Sequence, residues 1–199
     1  RHSSSAASDV YKRQEYICLK NSNEILIASS NQGKVKEFKK LFQNHKIFSL
    51  SDFDIEDAIE DGSSFFENAL IKAKHGSLYS EKFTIADDSG LVVPDLEFEP
   101  GIYSARYAGE GSSDKENRDH LINKLSLINK KELDAYYVCV LVGLRSSDDP
   151  MPIITHGEIH GKVSIKSSGD GGFGYDKIFY PFGYALSLIH ISEPTRQSP

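Results

Sequence analysis

The stretch Ile25-Leu26-Ile27-Ala28-Ser29-Ser30-Asn31-Gln32-Gly33-Lys34 passes from a short apolar run into a polar loop, and Val35, Phe38, Leu41 and Phe42 then follow at helical spacing. A short apolar run closed by a turn signal reads as a buried strand, and apolar residues returning every three or four positions read as a helix with one buried face. Strand, polar loop, helix is the opening unit of an α/β fold. The loop also carries chemistry. Where a strand hands over to a helix, backbone N–H groups and the helix dipole favour an anion, and Lys34 adds a full positive charge. Gly33-Lys34 lacks the glycine five positions earlier and the Ser or Thr after the lysine that a Walker loop requires, so this is not a P-loop NTPase. On its own, a lysine at a helix start is more often simply solvated.

Working outward, Ser64-Phe65-Phe66-Glu67 matches a capping box and predicts a second helix with Phe66, Ala69, Leu70 and Ala73 on one face and Lys72 and Lys74 off that stripe. Phe83 to Ala86 reads as a strand, Asp87 to Gly90 as a turn, and Leu91-Val92-Val93 as a short returning strand. Asp114, or Ser113 with Glu116, caps a third helix carrying Leu121, Ile122, Leu125 and Ile128. Tyr136 to Leu144 is β-rich and almost continuously apolar, as a central strand buried on both faces would be. Pro152 to Ile159 and Lys162 to Ile165 read as two more strands, with Glu158-Ile159-His160-Gly161 at their junction. Gly169 to Asp176 is a glycine-dense loop leading into Ile178-Phe179-Tyr180. This alternation implies an α/β domain with a mixed sheet.

Ile85-Ala86-Asp87-Asp88-Ser89-Gly90 places two adjacent carboxylates at the end of an apolar strand. Acid pairs at such a corner hold a hard metal or activate water, although on composition alone a polar hairpin turn is the commoner outcome. Neighbours on a strand point to opposite faces, so Asp87 and Asp88 are expected to divide two tasks, one facing a cleft and the other anchoring the turn. Glu60, Asp61 and Glu67 sit at the start of the second helix, where acidic residues favour the dipole; a metal role for Glu60 requires Asp88 nearby in space. In the glycine-dense loop, Gly171, Gly172 and Gly174 allow close approach to a ligand, Phe173 or Tyr175 can stack on a base, and Asp176 can order the loop. The histidines lack the spacing of a helical zinc site, and no nucleophile elbow surrounds Ser89.

Composition narrows the classes. With 199 residues, 39% of them hydrophobic, the chain can bury a sizeable core as one domain, in one or two lobes. A net charge of −6 argues against a general binder of nucleic-acid polymers or membrane surfaces. Cys18 and Cys139 are too few for a disulfide framework, Cys139 is expected in the core, and no apolar run approaches the roughly 20 residues of a membrane span. A cytoplasmic protein is expected. Residues 1–23 read as a disordered leader of foreign character, 24–183 as the domain, and 184–199 as a tail of foreign character.

Ile27 to Lys34, Ser64-Phe65-Phe66-Glu67-Asn68-Ala69, Ile85 to Leu91, Pro100-Gly101-Ile102-Tyr103-Ser104-Ala105-Arg106-Tyr107 and Gly171 to Lys177, in this order, resemble the motifs of the inosine triphosphate pyrophosphatase (Ham1-like) family. The resemblance covers about Ile25 to Gly183. It implies an elongated α/β fold with two lobes around a nucleotide cleft, a homodimer, and Mg²⁺-dependent cleavage of non-standard purine nucleoside triphosphates such as dITP and XTP to monophosphate and pyrophosphate. By position, Ser29, Ser30, Asn31, Gln32, Gly33 and Lys34 would hold the phosphates. Glu60 and Asp88 would place Mg²⁺, and Asp88 would accept the proton from attacking water with Lys34 assisting. Ser89 and Phe173-Gly174-Tyr175-Asp176 would line the nucleoside site, and Arg106 would support the cleft. The family's Lys and Ser-His-Arg segment after this motif has no match here, so the alternative is a catalytically impaired nucleotide-binding module. The Maf-like pyrophosphatases share the general chemistry but do not explain the Pro-Gly-Ile-Tyr-Ser-Ala-Arg motif.

Overall fold

The computed structural model describes residues 23–169 and 173–183. The expectations placed on the leader, on the tail from Tyr184, on Cys18 and on Gly171 and Gly172 lie outside the described residues. The rest form a six-stranded mixed sheet with flanking helices, in the order β2-β1-β3-β4-β5-β6. The strands are β1 (Glu24–Ile27), β2 (Lys46–Ser49), β3 (Phe83–Val92), β4 (Glu132–Leu144), β5 (Ile153–Ser164) and β6 (Phe179–Pro181). The helices are α1 (Gln32–Leu41), α2 (Phe65–Ser80) and α3 (Asp114–Leu127). The described residues divide into two compact units, those up to Asp88 with Val140–Thr155, and Ser89–Cys139 with those from His156 onward.

In the first unit β1 pairs in parallel with β2, Ile25 opposite Ile47, and with β3, Ile25 opposite Phe83. A parallel strand has helices over both faces, and here Val35 and Phe38 of α1 pack with Ile25 and Ile27 while Gly76 of α2 lies against Leu26, so all three strand residues are buried. The core gathers Ile25, Ile27, Val35, Phe38, Phe83 and Ile85. Each large apolar side chain so buried contributes roughly 1.5–3 kcal/mol. Leu41, expected on the buried stripe of α1, is exposed; the helix ends there, and the chain turns at Phe42. Strand β2 was not anticipated, because four residues with only Ile47 and Phe48 to mark them carry too little period.

Helix α2 starts at Ser64, whose hydroxyl accepts from Glu67 N at 3.2 Å. The other half of the expected box differs, since Glu67 accepts from the Ser63 backbone N–H and hydroxyl. The buried face of α2 is also turned from the expected one: Asn68, Ala69, Ala73, Gly76 and Ser77 face inward and Phe66 is exposed. A face of small residues lets the helix backbone lie close to the sheet, and a face led by phenylalanine would hold it away.

The acid pair does not form a turn. Strand β3 runs unbroken through Asp87 and Asp88 to Val92. Both carboxylates are buried but find partners inside the fold, so the strand has no need to break to expose them to water.

In the second unit Leu91, Leu121, Leu125, Leu133, Val163, Ile178 and Phe179 are central to the core. Ser113 and Glu116 form the full capping box of α3, and Leu121 and Leu125 are buried as expected, whereas Ile128 is the half-exposed C-cap. Strand β4 is longer than expected, and its Cys139 is half-buried. The two strands expected between 152 and 165 are one, β5, with no turn at Glu158 to Gly161. Gly161 instead admits β6. A Cβ at that position would lie 2.4 Å from Tyr180 O and 2.8 Å from Pro181 Cα, so the glycine marks close backbone approach.

Candidate active site

In the first unit the loop after β1 is organised by Asn31. Its side chain accepts from Gly33 N at 2.9 Å and Lys34 N at 3.2 Å, while its own N–H donates to Ser29 Oγ at 3.2 Å. This is an asparagine N-cap, and it engages two of the amides that an anion would otherwise take. Ser30, Gln32 and Gly33 are exposed around it. Lys34, on the first turn of α1, is not simply solvated: its Nζ lies 2.5 Å from Asp87 Oδ2. Asp87 is buried, and breaking such a pair by removing one partner costs about 3–5 kcal/mol. The pair therefore fixes the ammonium at the end of β1.

Asp88 belongs to a different cluster, as the strand alternation requires. Asn68, fully buried on α2, donates from Nδ2 to Asp88 Oδ2 at 3.2 Å and accepts from Gly62 N at 2.9 Å. Lys72, one turn further along α2, places Nζ 3.6 Å from Asp88 Oδ1 and 3.1 Å from Glu60 Oε1. Glu60 and Asp88, far apart in sequence, thus converge on one cation. Asn68 ties the Glu60 loop and the Asp88 strand to a single helix face.

In the second unit Ser89 is half-buried on β3, and Arg106 Nε meets Glu110 Oε1 at 3.3 Å with its guanidinium over the Tyr103 ring. The turn at Phe173 to Asp176 is tied down by its neighbours. Asp176, buried, accepts from Phe173 N at 3.3 Å and from the Tyr137 hydroxyl at 3.4 Å. The Tyr137 hydroxyl accepts from Tyr175 N at 3.1 Å, and the Tyr175 hydroxyl donates to Ser104 O at 2.9 Å. Burial pushes both phenols well above their ordinary range, the Asp176 charge adding for Tyr137 and the Asp114 charge for Tyr175, so they stay protonated donors. Tyr175, expected as a possible stacking surface, is only 3% exposed and belongs to the core. Phe173 is 60% exposed and is the aromatic that can meet a base.

The structure therefore joins Lys34 with Asp87, and Glu60 with Asp88. Sequence reasoning missed Asn68 and Lys72. Their signal was available: spaced four apart, they project together from one turn of α2 beside the small-residue face. It also missed Tyr137, and Asp114 as more than a cap, whose contacts with the turn arise only in the fold.

Two hard oxygen donors are what Mg²⁺ takes from a protein when phosphates and waters complete its shell. Glu60 and Asp88 already share one cation, the Lys72 ammonium, and so fit that ion. No cluster of three or more His, Cys, Asp or Glu side chains suited to a metal is found among the described residues.

Comparison with known proteins gives a consistent picture. The Ham1 family model matches residues 25–197. The dITP/XTP pyrophosphatase of Legionella pneumophila (strain Paris) is 46% identical over 168 residues, 84% of this chain and 87% of that protein. Among solved structures, a HAM1 protein from Coxiella burnetii superposes with a TM-score of 0.82 at 33% identity, covering 87% of this chain and 89% of that one. The Ham1 protein of Staphylococcus aureus gives 0.77 at 38% identity, covering 87% and 88%. With the family model matched over residues 25–197 and relatives matched over most of their length, the chain belongs to the Ham1 family.

Proposed function

We propose that this protein hydrolyses non-standard purine nucleoside triphosphates, dITP and XTP among them, to the monophosphate and pyrophosphate, and so cleanses the nucleotide pool. The observation that carries the reading is the convergence of Glu60, Asp88 and Lys72 one residue along β3 from the Lys34–Asp87 pair. Relatives named for this activity support it.

A triphosphate repels an attacking water until its charge is met. Lys34, its ammonium held by Asp87, sets a positive charge for phosphate oxygens to meet, and Lys72 sets a second. Asp88 is fixed through Oδ2 by Asn68 and stands as the general base: it takes the proton of the attacking water as the bond between the α and β phosphates breaks. Glu60 and Asp88 are the residues that would hold Mg²⁺, which when bound neutralises phosphate oxygens. Phe173 supplies the nucleoside contact, and Ser89 and Arg106 support that side of the substrate. Rejection of adenine follows if buried donors meet the 6-keto oxygen, since an amino group in its place leaves them unpaired. Resting on the family resemblance alone, the same reading includes a homodimer and residence in the cytoplasm.

Asp88→Asn tests the reading. Pyrophosphate release is expected to fall by about 10²- to 10⁴-fold with the fold retained, because the amide removes the base but preserves shape. Turnover within a few-fold of the parent would overturn the assignment of Asp88.

A further inference from the structure

The turn that carries Phe173 is gripped from one helix on both sides of Gly174. Asp114 Oδ2 accepts from Gly174 N at 2.7 Å, and Arg118 Nη1 donates to Gly174 O at 2.6 Å. Asp114 and Arg118 are one turn apart on α3, so the two side chains reach out together as a fork. Both contacts are charge-assisted and short, the stronger class of hydrogen bond. Gly174 sits at φ +52°, where a side chain would be strained, so the conformation that the fork holds is one glycine permits. With the Tyr137 and Asp176 contacts, the backbone of the turn is fixed while the Phe173 ring stays open to solvent.

Nothing in core packing requires this. Tyr175 and Ile178 already anchor the segment in the second unit's core, and a surface turn needs no charged fork to stay folded. A fixed turn bearing an exposed aromatic ring has already met its ordering cost in folding and need not meet it on binding. We infer that Asp114 and Arg118 are positioning residues for nucleoside recognition, clamping Gly174 so that the Phe173 ring stands as a rigid face for the purine. The inference rests on the assignment of Phe173 to the nucleoside made above.

The test is a double-mutant cycle on steady-state dITP hydrolysis, with Arg118→Ala, Phe173→Ala and the pair. Loss of a base–aromatic stack corresponds to about a tenfold or greater rise in KM. Arg118→Ala is expected to raise KM in that range with kcat within twofold. Arg118→Lys, which keeps one donor for Gly174 O, should recover most of the loss. In the Phe173→Ala background Arg118→Ala should add little, because a residue acting through Phe173 has nothing left to position. Asp114→Ala breaks the other half of the clamp and is expected to give the same pattern, which keeps the test open if Arg118→Ala folds poorly. Additive effects, or a fall in kcat and thermal stability without a change in KM, would overturn the clamp while leaving the nucleoside assignment intact. An unchanged KM in Phe173→Ala alone would overturn that assignment and the clamp with it.

Discussion

Asp87 and Asp88 are neighbours in sequence but not in function. The strand alternation that separates them sends one carboxylate to Lys34 and the other to Asn68 and Lys72, so a single dipeptide serves two clusters. Lys72 is the side chain whose role is most exposed to test. Its ammonium stands between Glu60 and Asp88, and replacing it with the similarly long but neutral methionine leaves two carboxylates facing each other without their shared cation. Lys72→Met is expected to lower kcat for dITP by about 10²-fold, the scale seen when one preorganised charge-stabilising donor is removed, with the circular dichroism spectrum unchanged. A kcat within twofold would reduce Lys72 to a structural ion-pair partner. At this scale the sequence was legible in the strand, loop and helix setting of Ser29 to Lys34. For Lys72 and Asn68 it offered only their spacing of four, because the Asp88 that they meet stands 16 to 20 positions along the chain.

Among the elements, β1, α1 and α3 were readable from their apolar patterns, and for α3 the cap is also written in side chains, Ser113 with Glu116. Strands β3 and β5 were each cut in two for a common reason. Polar residues and glycine inside a strand imitate a turn when their partners are invisible. In β3 those partners are Lys34, Lys72 and Asn68 for the acids. In β5 the partner is the backbone of β6, whose approach Gly161 permits. Gly161→Ala is accordingly expected to destabilise the protein by about 1–3 kcal/mol through overpacking, read as a lower denaturant midpoint at constant slope. Tolerance of alanine there would mean that β6 does not pack as closely on β5 as the structure has it.

At the scale of the whole molecule, each unit carries its own apolar core and its own polar constellation: the carboxylate and lysine clusters in the first, the clamped aromatic turn in the second. The α/β class and mixed sheet were legible from alternation alone, and the ordered motifs narrowed the family to the one that the relatives bear out. No helix among the described residues is long and apolar enough to cross a membrane. The central claim is catalytic and selective, and its most direct test is pyrophosphate release by the full chain in Mg²⁺, from dITP and XTP against dATP and dGTP. The prediction is a kcat/KM for dITP about 10²-fold or more above that for dATP, as expected of a site that hydrogen-bonds a keto oxygen. Equal turnover of all four nucleotides, or none of any, would contradict it.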